Sequence, residues 1–151
     1  MKNHKTLTTL LLVSIKLLFS SDNLIDDLAK NWIQLQNNSI KIDWQKNNGT
    51  QYCRAFTIYN HPSKQIKELL ENQENYPNIF DRIISSEIIK DNIVHIKLDL
   101  PFPFSGRDYI VKYEYKKYND VEYFIYKATS EVKIPLDKSF VRLVNAEGLW
   151  K

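Results

Sequence analysis

The stretch Leu98–Tyr115, reading LDLPFPFSGRDYIVKYEY, limits the fold more than any other part of the chain. It opens as the end of a strand. Pro101 and Pro103 then forbid its continuation, because each fixes φ and lacks the N–H that a sheet ladder needs. The chain must leave the sheet at a Pro-Phe-Pro-Phe corner while carrying Phe102 and Phe104, two rings expected to seek apolar surroundings. It turns at Ser105-Gly106 and resumes with period-2 alternation. Tyr109, Val111, Tyr113 and Tyr115 fall on one face, and Asp108, Ile110, Lys112 and Glu114 on the other. A bent, aromatic-rich strand pair of this kind either walls an apolar pocket or is ordinary core, and the pattern alone leaves both open. Arg107 shares the tyrosine face, where a guanidinium leaving water needs an acceptor. It is expected at the strand mouth on a loop carbonyl or an acidic neighbour, with ligand anchoring as the other role.

The rest of the chain supplies partners for this pair. Leu24, Leu28, Trp32 and Leu35 repeat at helical spacing after Asp22-Asn23, predicting a helix that ends at Asn37-Asn38. Ile40, Ile42 and Trp44 alternate as a strand, and Asn48-Gly49 turns it into a return strand carrying Tyr52, Arg54, Phe56 and Ile58. Pro62 suits the first position of a short helix with Ile66, Leu69 and Leu70 inside, and a second short helix or turn follows through Tyr76–Phe80. Strands are then expected over 83–90, 93–100, 121–130 and 140–150, with turns at Asp91-Asn92 and Asn119-Asp120. This order of elements predicts an α+β domain built on one curved antiparallel sheet.

Length and composition exclude several function classes. At 151 residues, 43% hydrophobic and 26% charged, the chain makes a single packed domain. Its net charge of +3, from 21 basic and 18 acidic residues without a basic stripe, argues against a nucleic-acid partner. One cysteine, Cys53, excludes an internal disulfide and a cysteine-based zinc site, and its strand context predicts a buried thiol. The three histidines have no spacing suited to a metal, and His95 is expected to point outward between Val94 and Ile96. No phosphate loop, zinc-protease or nucleophile-elbow motif occurs. Asp99, Asp108 and Glu114 are expected to be solvent-facing or structural, with acid–base work as the alternative. No cofactor or metal is called for. Residues 1–21 carry Lys2, His4 and Lys5, an apolar run from Leu7 to Phe19, and Ser20-Ser21. They are expected to act as a signal peptide directing export to the periplasm or beyond the cell, with an uncleaved anchor as the alternative.

Several segments, in order, resemble one family. They are Trp32-Ile33-Gln34-Leu35, Arg54-Ala55-Phe56, Asn75–Phe80, Leu100–Tyr109, Val141-Arg142 and Gly148-Leu149-Trp150. Together they look like the START (StAR-related lipid transfer) domains of the helix-grip superfamily, particularly exported bacterial ones, from about residue 24 to the end. The resemblance implies an N-terminal helix, a curved antiparallel sheet, and two short helices between its second and third strands. It also implies a C-terminal helix gripped by the sheet around a tunnel for one lipid or similar apolar molecule. Family members continue well past the last motif, so with Lys151 as the final residue that gripping helix is expected to be missing.

By the same resemblance the cavity residues are Phe56, Ile96, Leu98, Phe102, Phe104, Arg107, Tyr109, Val111 and Tyr113. Pro101, Pro103, Arg107, Asp108, Arg142 and Trp150 hold the motif in shape. Tyr113 stands where sterol-binding members often carry an arginine, so a charged anchor for a sterol hydroxyl is not expected. The implied role is binding, with or without transfer, of a lipid or apolar small molecule, and the resemblance admits transient membrane contact. No catalytic residue is assigned and no enzymatic activity is expected. A cyclase- or hydrolase-type enzyme of the superfamily and a degenerate, partner-binding module are the alternatives. Oligomeric state is not legible in the sequence.

Overall fold

The computed structural model describes residues 7–15, 32–47 and 50–151. Along the chain these form β1 (Leu7–Ile15), β2 (Ile33–Asn37), β3 (Lys41–Asn47), β4 (Thr50–Tyr59), α1 (Ser63–Glu71), a 3-10 turn (Gln73–Asn75) and α2 (Tyr76–Ile79). They continue as β5 (Ile83–Lys90), β6 (Ile93–Leu98), β7 (Gly106–Tyr118), β8 (Val121–Ala128), β9 (Phe140–Arg142) and β10 (Ala146–Trp150).

Local turn chemistry explains most of the pairing. Asp91 (φ 43°), Asn119 (φ 46°) and Asp120 (φ 62°) adopt left-handed backbone conformations that short polar side chains tolerate. The β5–β6 and β7–β8 hairpins therefore close tightly where the sequence predicted turns. Asn47 faces Thr50 in the β3–β4 register, so that hairpin has a two-residue loop, although Asn48 and Gly49 themselves lie outside the described residues. The resulting sheet runs β2-β3-β4-β1-β10-β8-β7-β6-β5, with β9 beside β7. Its pairings are antiparallel apart from β7–β9, which is parallel. Short helices α1 and α2 fill the connection from β4 to β5, giving the expected α+β class.

Several elements differ from expectation. The helix predicted through Leu35 gives way to strand β2, and Leu35 is exposed. Pairing with β3 prevails over the helical pattern, and Gln36 Nε2 donates to Asn38 Oδ1 (2.8 Å) and to the Ile40 carbonyl (3.0 Å), closing the turn that delivers β2 to β3. Residues 22–31 of that helix lie outside the described residues, as do residues 1–6 and 16–21 of the expected leader. Within the leader, Leu7–Ile15 is strand β1, paired with β4 along its length and with β10 from Leu11 to Ile15. Pro62 is the cap residue of α1, one position earlier than predicted. The single strand expected over 140–150 is two, because β9 pairs with β7 whereas β10 pairs with β8 and β1.

Both faces of the sheet centre are covered. Tyr76, Val94, Ile96, Val111, Tyr113, Phe124 and Ala146 form one buried cluster, with Leu70, Ile79, Phe80 and Trp150 from around it. Tyr123 and Leu149 form a second with Trp32 and Tyr52. Because Tyr123 and Phe124 are neighbours, as are Leu149 and Trp150, strand alternation puts these clusters on opposite faces. The first is the face that carries α1 and α2.

Candidate functional site

The helix-covered face is assembled from β6, β7, β8, β10 and α2. Tyr113 of β7 stacks on Phe124 of β8, with ring centroids 4.9 Å apart and planes 20° apart. Tyr126 lies 5.9 Å from Tyr113, and Tyr76 of α2 meets the Tyr113 ring edge-on at 6.4 Å. Tyr76 also contacts Phe80 edge-on at 5.1 Å, and Phe80 reaches Trp150 at 5.9 Å. These are the preferred arrangements of aromatic quadrupoles. Val111, Val94 and Ile96 lie beneath the rings, essentially without exposure. Of the residues expected to share a site, Ile96, Tyr109, Val111 and Tyr113 therefore come together. Leu98 is half-buried on β6 opposite Arg107.

Burial also sets the charge state of this face. Desolvation disfavours the phenolate, pushing Tyr109 up to about 12 and Tyr76, Tyr113 and Tyr126 higher still. All four are neutral hydrogen-bonding groups at physiological pH. The Tyr76 hydroxyl donates to the Leu70 carbonyl (2.7 Å), tying α2 to the end of α1.

Other expected cavity residues are elsewhere. Phe102 and Phe104 are 98% and 61% exposed. Their corner closes on itself, with the Phe104 amide donating to the Pro101 carbonyl (3.1 Å), and this directs both rings outward. Phe56 packs 4.6 Å from the Arg54 guanidinium, which lies 4.0 Å from the ring of Trp32, a member of the second cluster. Arg54 also pairs with Asp43 Oδ2 at 2.8 Å. Phe56 thus belongs to the side away from Tyr113, because β4 alternation assigns it to the face of Arg54. Arg107 donates from Nη1 to the Ser105 carbonyl (2.6 Å) and the Gly106 carbonyl (3.2 Å), turning back on its own corner. Cys53 is exposed, contrary to expectation, and desolvation together with Asp43 pushes its thiol up.

No family model matches the sequence, and no curated protein matches it. A solved structure does match. The crystal structure of the STAR-related lipid transfer protein (fragment 25–204) from Xanthomonas axonopodis aligns over 80% of this chain and 79% of that one, with a TM-score of 0.64 and 15% identity. The fold is START-like. At that identity the likeness is one of backbone architecture, so the site is described from this chain's own residues.

On the other face of the START-like sheet sits a polar cluster that the sequence reading missed. Asp108 is fully buried, and its Oδ2 accepts from His95 Nε2 (2.9 Å), Arg142 Nε (2.8 Å) and Arg142 Nη2 (2.5 Å). Arg142 Nη1 donates onward to the Ile134 carbonyl (3.1 Å), so the β8–β9 segment is tied across the sheet. Burial acts to raise the Asp108 pKa, but the hydrogen bonds from Arg142 and His95 outweigh it and hold the carboxyl below its usual range. His95, expected outward, is 5% exposed. The signal was present: with Leu98 opposite Arg107, β6–β7 alternation puts His95 and Asp108 on one face. The partners of these three side chains among the described residues all belong to the fold, so the trio acts as a clamp. Among the described residues no group of three or more His, Cys, Asp or Glu could hold a metal ion.

Proposed function

We propose that this chain binds a lipid or other apolar small molecule against the helix-covered tyrosine face of its START-like sheet, without chemistry of its own. The observation that carries this reading is the connected cluster of rings in which Tyr76 meets Phe80 and Tyr113, Tyr113 meets Phe124 and Tyr126, and Phe80 reaches Trp150. Arg107, the charged residue at the head of the same β7 face, is turned back onto backbone carbonyls and leaves that surface uncharged. Covering ~300 Å² of apolar ligand contributes roughly 7 kcal/mol before the cost of association, so no reactive group is required. The lipid transfer named for the Xanthomonas axonopodis protein of the same fold supports the same reading.

Two finer parts belong to this proposal. Exposed Phe102 and Phe104, on a corner stiffened by two prolines, are suited to enter a membrane surface transiently while a ligand is exchanged. Residues 1–21 direct export, with cleavage near Ser20 or Ser21.

Native mass spectrometry of the purified chain tests the binding. The expected spectrum shows a lipid-sized adduct that organic solvent removes. A ligand-free spectrum, together with no uptake of a pyrene-tagged lipid, overturns the proposal. A stoichiometric oligomer free of lipid would instead favour the partner-binding module.

A further inference from the structure

Strand β5 closes one end of the sheet, and among the described residues no strand pairs with its outer side. Soluble proteins usually blunt such an edge with charge or proline, because its free backbone groups invite another strand. β5 has no proline and carries isoleucines instead: Ile84, Ile88 and Ile89 are 53%, 42% and 38% exposed. The register with β6 skips Ile84 and Ile89, leaving Ser85–Ile88 as a regular run between two irregularities. Such bulges bend an edge away from a straight partner. A partner with the same bends follows it.

The strand also reads nearly the same in both directions. Ile83–Ile89 is Ile-Ile-Ser-Ser-Glu-Ile-Ile, a near-palindrome centred on Ser86. Antiparallel pairing of two copies about a two-fold axis at Ser86 sets Ile84 against Ile88 of the second copy, and Ile83 against Ile89. Ser85 then meets Glu87 of the second copy. Within one strand the Ser85 hydroxyl already donates to the Glu87 carboxylate (3.2 Å), so both groups lie on one face. Paired residues must share a face, so the axis has to fall on a residue. At Glu87 it would oppose two carboxylates, and at Ser85 it would set Ile83 against Glu87, so composition selects Ser86. The like-charged Arg82 and Lys90 meet at the ends of the paired run, where both are exposed and salt screens them.

From this edge and its symmetry we infer that two copies of the chain associate through β5, pairing antiparallel about Ser86 into one continuous sheet. One strand from each copy is a small surface, at the low end of specific interfaces. Association is therefore reversible, with a Kd of about 10–100 µM. The contact uses none of the rings of the helix-covered face, so it is independent of lipid binding.

Sedimentation velocity of the full chain, from about 5 to about 500 µM, tests this. The weight-average coefficient is expected to climb from the monomer toward the dimer value. Ile84→Lys and Ile88→Lys change exposed positions, so each should keep the wild-type thermal midpoint while weakening association about tenfold. Ser85→Lys, opposite Glu87 of the second copy, should tighten it about threefold, and Ser85→Glu should weaken it about threefold. If one isoleucine variant is poorly folded by circular dichroism, the other and the Ser85 pair decide. A chain that stays monomeric throughout the range overturns the inference. So does a dimer that both isoleucine variants leave intact, which assigns the interface to another surface. A dimer tightened by Glu87→Ser and unmoved by Ser85→Lys pairs in a different register and overturns the Ser86 axis.

Discussion

Arg142 and Asp108 lie 34 residues apart in the chain, and the guanidinium of the first donates twice to one carboxylate oxygen of the second. Strand β9 runs parallel to β7 with Arg142 directly beside Asp108 in the register, so backbone pairing and side-chain pairing report the same contact. A buried carboxylate stripped of its cation is costly. Arg142→Ala is expected to destabilise the fold by about 3 kcal/mol, read as a lower urea midpoint at unchanged slope. A loss under 1 kcal/mol would show that the pair is not a clamp.

Acid should weaken the same clamp. The folded pKa of Asp108 is depressed because hydrogen bonds from Arg142 and His95 outweigh burial. Its contribution is therefore complete above the ordinary carboxylate range, near pH 4, and is lost as pH falls through the lower folded value. Urea midpoints at pH 7, 5, 4 and 3 should show the gap between wild type and Asp108→Asn narrowing below about pH 4. A gap that is constant across this series would assign the acid sensitivity to other groups.

Gly106 tests the strand mouth. A Cβ there would come within 2.6 Å and 2.7 Å of Phe140 ring atoms and 2.8 Å of the Leu98 carbonyl oxygen. Gly106→Ala should cost ~1–3 kcal/mol. Adding Phe140→Leu should recover only part of the loss, because the Leu98 oxygen belongs to the backbone and cannot move aside. Full recovery by the double variant would place the whole conflict in the ring.

The exposed corner gives a separable prediction. Phe102→Ala removes a ring that is 98% exposed and should leave the unfolding free energy within about 0.5 kcal/mol of wild type. Co-sedimentation with phosphatidylcholine vesicles should fall several-fold for Phe102→Ala and further for the double variant with Phe104→Ala. Unchanged sedimentation would remove the membrane contact from the proposal.

Cleavage near Ser20 or Ser21 would remove β1 and leave β4 and β10 with facing, unpaired edges. A protein of residues 22–151 is expected to unfold at lower temperature than the full chain and to associate at high concentration. Equal midpoints and a monodisperse short form would show that β1 contributes no stability.

Much of the fold is legible one segment at a time. The hairpin turns at Asp91 and Asn119-Asp120 follow from the left-handed backbone their short side chains permit, and the β7 alternation follows from strand geometry. That alternation correctly grouped Tyr109, Val111 and Tyr113, which pack in one cluster. Where local preferences conflicted with pairing, local reading failed. Leu35 fits a helical stripe, yet it lies in β2, where pairing with β3 prevails.

The side-chain environments divide in the same way. Alternation says that His95 and Asp108 share a face, and that Phe56 shares one with Arg54. It does not say that the β8–β9 segment will cross over the first pair, or that Trp32 will draw the second pair to the far cluster. Phe102 and Phe104 show the converse: apolar rings whose own proline corner turns them outward, with nothing packed over them. A strand's period is a property of its backbone and is written in adjacent residues. Which face is covered, and by what, depends on segments distant in the chain, and only the folded arrangement decides it.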